Sequence, residues 1–487
     1  MDGYKKDFIE FLLETGALKI FRKREEDRVL KSKRISPWFL NLGDFNSGET
    51  SAKLAGFYAD AIINSGIEGK VIAGIPEKGV ALSVSVATAM AIKGHNIGWC
   101  FSRKDEKTHG EASNLSPDDR IKKLILGMIP QEDDAIIQVD DVFTAGTAKD
   151  EFHDFLVGLN RKKLPLLAIA ADRQEVSHFG QNAIAEYQKK TATKVISIVN
   201  ALDVLEFLMS TRESDEEIRR LMCYLRVYGT PELKEGILEL FNTSKDCLWG
   251  DKIIMNDRSV IPACDVSSIE EFEEIVKVTQ DIDGIGGYKV GFDLGLRYGL
   301  KKVVEVAKQY TEKPIIYDHQ KAGTDIPDTG KNFAKLCSEA GVQGIILFPQ
   351  SGPETERAWI YHALDHGLKV MVGGRMTHPA YSISEGGFIT NEGAMEMYRI
   401  AASAGINNFI VPGNKPEVIA QIKKVVKAEG ILNPIFSAPG FVEQGGKISE
   451  GGKAAGKLFH AIVGRGITQA KDKRAAALSH VSQLLFN

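Results

Sequence analysis

Cysteine is scarce in this sequence, and no two cysteines stand close together. Only five occur among the 487 residues, namely Cys100, Cys223, Cys247, Cys264 and Cys337. This spacing excludes the short paired motifs of zinc sites and the dense frameworks of disulfide-stapled secreted domains. Because isolated thiols suit a reducing compartment, we expect a cytoplasmic protein.

The sequence also lacks a dominant charge and a long apolar run. The 61 lysines and arginines nearly balance the 65 aspartates and glutamates, for a formal net charge of −4. No broad basic field is therefore available for nucleic acid or for an anionic membrane. No apolar segment approaches membrane-spanning length, and the N-terminus lacks the pattern of a signal peptide. We expect neither nucleic acid nor a membrane as a partner, but small molecules.

What the sequence does contain is enough apolar surface for more than one core. Hydrophobic residues make up 43% and charged residues 26% of the chain, which is typical of globular proteins, and its length favours two or three domains. A capped, charge-rich helix start at residues 210–217 indicates the exit from a first domain. We predict a first domain at 1–209, a helical connection at 210–251 and a second domain at 252–487.

Strand and helix patterns alternate through the first half. Short apolar runs at 71–75, 97–101, 135–139 and 166–170 predict buried strands, and helical patterns stand between them. This alternation is typical of an α/β domain with a parallel sheet flanked by helices.

Two adjacent carboxylates follow one of these strands. Asp140 and Asp141 lead into a loop of small residues, 144–147, and a helical pattern begins at Lys149. Such a loop leaves N–H groups and hydroxyls at a helix N-terminus, where a phosphate is favoured. The carboxylates would then hold ribose hydroxyls, or a magnesium ion through its waters. The alternative is an ordinary strand-to-helix turn with acidic capping residues.

A cationic run follows another strand. It contains Arg103, Lys104, Lys107 and His109, with Gly110 next. Most runs of this kind are solvated charged loops. Because a strand precedes this one and a long loop follows, a lid that closes over phosphates is the alternative.

Both features resemble known families. Residues 140–147 resemble the phosphoribosyl-pyrophosphate signature of type I phosphoribosyltransferases. The cationic run matches the Arg-Lys-x-x-Lys-x-His-Gly loop of orotate phosphoribosyltransferases. The resemblance spans residues 18–208 and departs at Lys33, where that family commonly has glycine. It implies a type I phosphoribosyltransferase fold that joins orotate to phosphoribosyl pyrophosphate.

The same resemblance implies roles for individual residues. Lys107 and His109 would act in catalysis, together with the ribose-holding Asp140 and Asp141. The residues implied to bind phosphates or orotate are Lys19, Trp38, Phe39, Lys78, Arg103, Lys104, Thr144, Ala145, Gly146, Thr147 and Arg173. Mg²⁺ is implied as the cofactor of this half, held mainly by the substrate and reached by the aspartates only through water.

The second half contains eight apolar runs with helical patterns between them. They lie at 260–264, 287–290, 314–317, 344–348, 369–372, 408–411, 434–437 and 461–463. Eight strand–helix units in this length predict a (β/α)₈ TIM barrel, whose chemistry belongs at the carboxyl ends of the strands.

Charged residues stand at several of these strand ends. They are Asp265, Lys289, Asp318, Lys321 and Asp325. A lysine inside an apolar barrel is costly unless it is paired, so we expect an alternating charge network. The alternative is an ion-pair cluster with a structural role only.

These positions resemble orotidine-5′-monophosphate decarboxylases over residues 253–486. The resemblance implies that Lys289 holds the acidic network that includes Asp265, that Asp318 faces the substrate carboxylate and that Lys321 protonates the product carbon. Asp325 would reach the site of a second subunit, which implies a homodimer or a higher homo-oligomer with sites completed across subunits. Implied substrate contacts are Thr329, Thr377, Gln444, Gly445 and Arg465. No metal or organic cofactor is implied for this half.

One departure concerns spacing. The family's core usually reads Asp-x-Lys-x-x-Asp-Ile-Pro, whereas here one more residue stands in each gap between Asp318, Lys321 and Asp325. This chain would therefore belong to a branch with wider spacing.

Together the halves predict a bifunctional enzyme, transferase first and decarboxylase second, with orotidine monophosphate passing between the reactions. Two alternatives stay open from the residues alone. The first half could be a nucleotide sensor that has kept a phosphoribosyltransferase fold. The barrel could carry out magnesium-dependent sugar-phosphate chemistry with a similar Asp/Lys core.

Overall fold

The structure is a computed structural model that describes residues 3–103, 123–143, 147–177, 180–211, 216–242, 252–319, 324–442 and 444–484. The chain divides into two compact units, Met1–Leu240 and Phe241–Asn487. Each unit is described by itself below. Within the described ranges, no helix combines the length and apolar character that crossing a membrane requires.

The first unit is built on a six-stranded sheet with the order β10-β9-β8-β5-β6-β7, in which only β7 runs antiparallel to its neighbour. Its strands are β5 Val71–Gly74, β6 Gly98–Ser102, β7 Ile125–Gly127, β8 Ile136–Phe143, β9 Leu166–Asp172 and β10 Lys194–Asn200. Its helices are α1 Gly3–Glu14, α2 Gly48–Asn64, α3 Gly79–Ile92, α4 Thr147–Gly158, α5 Ala183–Thr191, α6 Ala201–Thr211, α7 Glu216–Tyr228 and α8 Pro231–Leu240. The predicted parallel sheet flanked by helices is confirmed.

Two short antiparallel pairs precede this sheet. They join β1 Leu18–Ile20 to β4 Trp38–Leu40 and β2 Arg28–Val29 to β3 Ile35–Ser36. The first pair sets Lys19 directly opposite Phe39, so two residues expected to contact orotate share one register position.

A glycine contact fixes the turn between β5 and α3. A Cβ on Gly74 would lie 2.1 Å from the carbonyl oxygen of Gly79, and a Cβ on Gly79 would lie 2.5 Å from that of Val139. The helix can therefore approach the strands only with glycine at both positions. This close approach brings Lys78, the residue before α3, beside the end of β8.

Helix α7 belongs to the first unit, although residues 210–251 were expected to form a connection. Its Arg220 is fully buried, donating to the carbonyl oxygen of Phe21 at 2.8 Å and to Asp27 Oδ2 at 2.7 Å. These bonds tie the helix to the segment between β1 and β2. The unit boundary consequently falls after α8, at Leu240.

The second unit is a closed parallel barrel of eight strands, which confirms the predicted fold. The strands are β11 Arg258–Cys264, β12 Tyr288–Val290, β13 Ile315–Asp318, β14 Gly344–Leu347, β15 Lys369–Gly373, β16 Asn408–Ile410, β17 Ile435–Ala438 and β18 Phe459–Val463. The helices are α9 Ile269–Thr279, α10 Phe292–Tyr298, α11 Leu300–Lys308, α12 Thr329–Glu339, α13 Pro353–Asp365, α14 Asn391–Ser403, α15 Pro416–Ala428, α16 Ile448–Ala455, α17 Arg465–Thr468 and α18 Lys473–Ser482.

The barrel interior is filled by apolar side chains, most of them branched. One cluster joins Ile261, Ile316, Ile346, Met371, Ile410 and Ile462 from six different strands. Such filling makes the barrel a packed core, so its polar residues are displaced to the strand ends.

The role of α7 can be tested by truncation and by substitution. A fragment 1–242 should fold and stay soluble, whereas 1–211 should aggregate, because it lacks the helix that contacts Phe21 and Asp27. In the full chain, Arg220→Met should lower the free energy of unfolding of the first unit by about 3–5 kcal/mol, since it removes the guanidinium that pairs with the buried carboxylate of Asp27.

The matched control is Arg219→Met. Arg219 is the adjacent arginine, and it pairs with Glu216 with about a third of each side chain exposed. Its loss should cost less than about 1 kcal/mol in urea unfolding. Equal effects of the two substitutions would contradict the assignment of α7 to the first unit's core.

Candidate active sites

In the first unit, both aspartates of the predicted motif lie within β8, which runs to Phe143 and is longer than expected. Asp140 is 4% exposed and Asp141 is 8% exposed. Each carboxylate has its own ammonium partner. Asp140 Oδ2 pairs with Lys149 Nζ, and Asp141 Oδ2 lies 2.8 Å from Lys78 Nζ. The result is a row of four charges, Lys149–Asp140–Asp141–Lys78, in which the two carboxylates lie between the two ammonium groups.

Sequence reasoning missed Lys149. Its side chain is 9% exposed, and its ammonium lies 5.9 Å from the ring centroid of Phe143. Burial raises the pKa of Asp140, and the neighbouring charge of Asp141 raises it too, while Lys149 lowers it. The sequence contains one indication of a special role for Lys149. This lysine stands in the first turn of a predicted helix, where the helix dipole disfavours a cation.

Of the residues expected to receive orotate, Arg173 follows β9 and lies against Trp38. Its guanidinium carbon lies 4.0 Å from the ring centroid of the buried Trp38. Nε donates to Glu175 Oε1 at 2.7 Å, and Nη2 donates to Ser36 Oγ at 3.0 Å. Burial disfavours the charge, but Glu175 and Tyr224 outweigh it and raise the pKa of Arg173. Arg173 is 3% exposed, and these contacts hold its guanidinium in one orientation.

Other predicted residues of this unit fall at or beyond the edge of the described ranges. Arg103 follows β6 with an exposed side chain, and its backbone N–H donates to Leu124 at 2.9 Å. Thr147 is the first residue of α4. Lys104, Lys107, His109, Thr144, Ala145 and Gly146 lie outside the described residues.

The donor set near β8 suits Mg²⁺ only indirectly. The carboxylates of Asp140 and Asp141 already pair with lysines. Among the described ranges, no group of three or more His, Cys, Asp or Glu side chains could hold a metal. Oxygen donors of this kind could still bind the waters of a magnesium ion carried by a substrate phosphate.

In the second unit, Lys289 lies between two aspartates at neighbouring strand ends. Its Nζ is 3.2 Å from both carboxylate oxygens of Asp265 and 3.1 Å from Asp318 Oδ2. The side chains of Lys289 and Asp318 are 7% exposed, whereas that of Asp265 is 36% exposed. Burial disfavours the charged lysine, but the two carboxylates outweigh it and raise the pKa of Lys289. The ammonium is therefore a fixed positive charge at the mouth of the barrel.

A cavity of about 230 Å³ opens above this network. Its wall includes Asp265, Lys289, Asp318, Thr377, Gln444 and Arg465, with Ile346, Phe348, Ile410 and Ile462 on the apolar side. It thus combines a charged end, an apolar floor and a cationic group at the last strand, as a small anionic ligand requires.

The remaining predicted barrel residues either stand outside the wall of this cavity or lie outside the described residues. Asp325 is exposed, and its carbonyl oxygen accepts from Thr355 Oγ1 at 2.9 Å. Thr329 begins α12, and Gly445 adopts a φ of 79° next to Gln444. Lys321 lies outside the described residues.

These geometries define two enzyme-like domains. One is a parallel sheet with paired carboxylates before a loop and helix, and the other is a (β/α)₈ barrel with an Asp–Lys–Asp cluster at its strand ends. Comparison with known proteins makes the families specific. Residues 258–479 match the family model described as the orotidine 5′-phosphate decarboxylase / HUMPS family.

An orotate phosphoribosyltransferase of Alteromonas mediterranea is 38% identical over 231 residues, which cover 47% of this chain and 100% of that protein. A crystal structure of orotate phosphoribosyltransferase from Francisella tularensis is 28% identical, covering 46% of this chain and 100% of that one, with a TM-score of 0.39. An orotidine 5′-monophosphate decarboxylase from Methanocaldococcus jannaschii in complex with an inhibitor is 24% identical, covering 47% and 99%, with a TM-score of 0.42. The chain belongs to the orotate phosphoribosyltransferase family in its first half and carries an orotidine 5′-phosphate decarboxylase-family domain in its second.

The Lys289 network allows a test that separates stability from chemistry. Lys289→Met should lower the free energy of unfolding of the barrel by about 3–5 kcal/mol, because it removes the ammonium that pairs with the buried Asp318. Decarboxylation of supplied orotidine monophosphate should fall at least ~100-fold. Adding Asp318→Asn should restore stability in urea titrations but not activity.

The matched control for this pair of variants is Lys335→Met. Lys335 lies on α12 with 60% of its side chain exposed, 3.9 Å from Glu339. This substitution should change neither the free energy of unfolding of the barrel nor the rate of decarboxylation. A Lys289→Met enzyme that keeps wild-type turnover would contradict a catalytic role for the network.

Proposed function

We propose that this chain carries out two consecutive reactions of pyrimidine nucleotide synthesis. The first joins orotate to phosphoribosyl pyrophosphate and releases pyrophosphate, and the second decarboxylates the resulting orotidine monophosphate to uridine monophosphate. One observation carries the proposal: a single chain unites a domain of the first family with a domain of the second. This is the fused arrangement of uridine 5′-monophosphate synthases.

In the proposed first reaction, a bond forms between N1 of orotate and C1′ of the ribose as the C1′–O bond to pyrophosphate breaks, and the N1 proton is released to the pyrophosphate or to water. Positive charge develops on the sugar, and Asp141 beside it would hold a ribose hydroxyl. Lys78 is half-exposed, so it can leave Asp141 and contact the departing pyrophosphate. Arg103, Lys104, Lys107 and His109 would complete the cationic surroundings, with Mg²⁺ supplying further charge on the phosphates.

The base would lie against Lys19, the backbone of Trp38 and Phe39, and Arg173. Lys19 is exposed and paired in register with Phe39, so its ammonium can reach a ligand at this sheet. Thr144 to Thr147 would bind the 5′-phosphate at the start of α4.

In the proposed second reaction, the bond between C6 and the carboxylate breaks, and carbon dioxide leaves its electron pair on C6. Lys321 would stabilise that pair and then donate a proton to it. Asp318 would face the departing carboxylate, while Lys289 keeps Asp265 and Asp318 in place through the contacts described above. Thr377 would contact the pyrimidine, and Gln444, Gly445 and Arg465 the phosphate.

We also propose a homodimer in the cytoplasm. Asp325 is exposed and outside the wall of the cavity, which supports a role toward a second subunit. None of the cysteines in the described ranges forms a disulfide, which supports a reducing compartment.

The direct test is a coupled assay with orotate, phosphoribosyl pyrophosphate and Mg²⁺. Uridine monophosphate should accumulate. Lys107→Ala and His109→Ala should each lower the first step ~100-fold or more, as expected for loss of a group acting on the transition state, while supplied orotidine monophosphate is still decarboxylated normally.

A chelator provides the complementary control. It should stop the first reaction and leave the second unchanged, because only the phosphates of the first call for a cation. Barrel activity that requires Mg²⁺ would instead favour sugar-phosphate chemistry. A wild-type chain that forms no orotidine monophosphate would favour the nucleotide-sensor alternative.

The role of Asp325 can be tested by complementation. Lys321→Ala and Asp325→Ala should each be nearly inactive in decarboxylation. If Asp325 completes the partner's site, a heterodimer of the two has one site with both defects and one with neither. Doubly tagged heterodimer should then recover about half of the normal rate, and a randomly exchanged mixture about a quarter. A heterodimer as inactive as its parents would place Asp325 within its own chain's site.

A further inference from the structure

Lys149 occupies a position that is unfavourable for a cation in two ways. It lies in the first turn of α4, Thr147–Gly158, where the helix dipole repels positive charge, and only 9% of its side chain is exposed. Burying an ammonium group also costs free energy unless the group is paired. A lysine persists in such a place only if a partner compensates both costs, and that partner is Asp140.

Asp140 has an equally demanding environment. Its carboxylate is 6% exposed and adjoins Asp141 in the chain, so both burial and a like charge disfavour ionisation. Among the described residues, the other titratable groups that face it are Tyr58 and Lys149. Tyr58 is buried on α2 and donates its hydroxyl to the backbone carbonyl of Asp140 at 2.7 Å, so it does not neutralise the carboxylate.

Lys78 does not substitute for Lys149. Its ammonium lies 2.8 Å from Asp141 rather than from Asp140, and 46% of its side chain is exposed. In the proposed reaction it moves toward the pyrophosphate. Of these two lysines, Lys149 is the one enclosed deeply enough to stay on Asp140 when an anionic substrate approaches.

We propose that Lys149 is a positioning residue of the transferase, which keeps the Asp140 carboxylate ionised and oriented toward the ribose without itself touching the substrate. The assignment rests on the proposed function of the first unit and extends it to a residue outside the Asp-Asp and small-residue motif. It also assigns different roles to Lys78 and Lys149. Lys78 exchanges its partner during the reaction, and Lys149 does not.

The consequence is a specific dependence on pH. Asp140 must be ionised to accept a hydrogen bond from a ribose hydroxyl, so activity falls as pH drops through its pKa. Since Lys149 lowers that pKa against burial and Asp141, its removal raises the pKa. The acid limb of the transferase profile should then move to higher pH by about one unit or more.

The experiment measures kcat/KM for orotidine monophosphate formation from pH 5.5 to 9.5 in wild type, Lys149→Met and Lys149→Arg. At pH 6 the methionine variant should lose ~10-fold or more, and at pH 9 it should stay within ~3-fold of wild type. Arginine retains the charge, so it should return the acid limb toward the wild-type position. Ionisation of the substrates is common to all variants and cancels in the comparison.

Two controls come from the same chain. Lys190→Met removes a lysine from an exposed ion pair with Asp150, which is the residue after Lys149, and it should leave the profile unchanged. Decarboxylation of supplied orotidine monophosphate reports the second unit and should not respond to Lys149→Met at any pH. A wild-type chain inactive in the transferase assay would refute the proposed function, independently of any effect at Lys149.

An acid limb unchanged by Lys149→Met in an active enzyme would overturn the proposal, as would an equal loss of activity at every pH. If Lys149→Met does not fold, the double variant Lys149→Met/Asp140→Asn distinguishes a role of Lys149 in charge pairing from a role in packing. Recovery of folding would show that the ionised Asp140 depends on Lys149, as proposed. Failure of the double variant to fold would show that Lys149 serves packing instead and would overturn the assignment.

Discussion

The pairing of buried charges at the ends of parallel strands is the constraint on which both sites depend. A carboxylate at such an end is shielded by neighbouring strands and helices, so it stays ionised only beside a cation. In the sheet, Asp140 has Lys149. In the barrel, Asp318 has Lys289, which Asp265 shares. Two unrelated architectures thus meet the same electrostatic requirement with an enclosed lysine, and each keeps fixed charges where an anionic substrate must be held.

The overall architecture could be predicted because buried parallel strands have a simple and recognisable sequence pattern. Each barrel strand is a short apolar run bounded by polar residues, and Lys289 interrupts such a run conspicuously enough to indicate a paired charge. The strand ends then place the aspartates by geometry alone. The resemblance to two families supplied the residue roles that these patterns could not.

Two features of the structure could not be predicted from sequence patterns. The contact of Lys149 with Asp140 bridges a strand, a loop and a helix, so only the folded chain brings the two atoms together. Arg220 is a similar case. In the sequence it is one of two adjacent arginines in a charge-rich helix, and nothing there distinguishes it from Arg219. In the structure it is fully buried on Asp27, and this contact assigns the helix to the first unit.

The two ion pairs along β8 differ in their exposure to water, so dissolved ions affect them differently. Mobile ions can approach the outer pair, in which nearly half of the Lys78 side chain faces water, but not the enclosed inner pair. Raising the ionic strength therefore weakens the Lys78–Asp141 attraction selectively and leaves Lys149–Asp140 almost untouched. Dissolved salt acts on one end of the row only, so of the two lysines in the row Lys78 is the one that inorganic anions can reach.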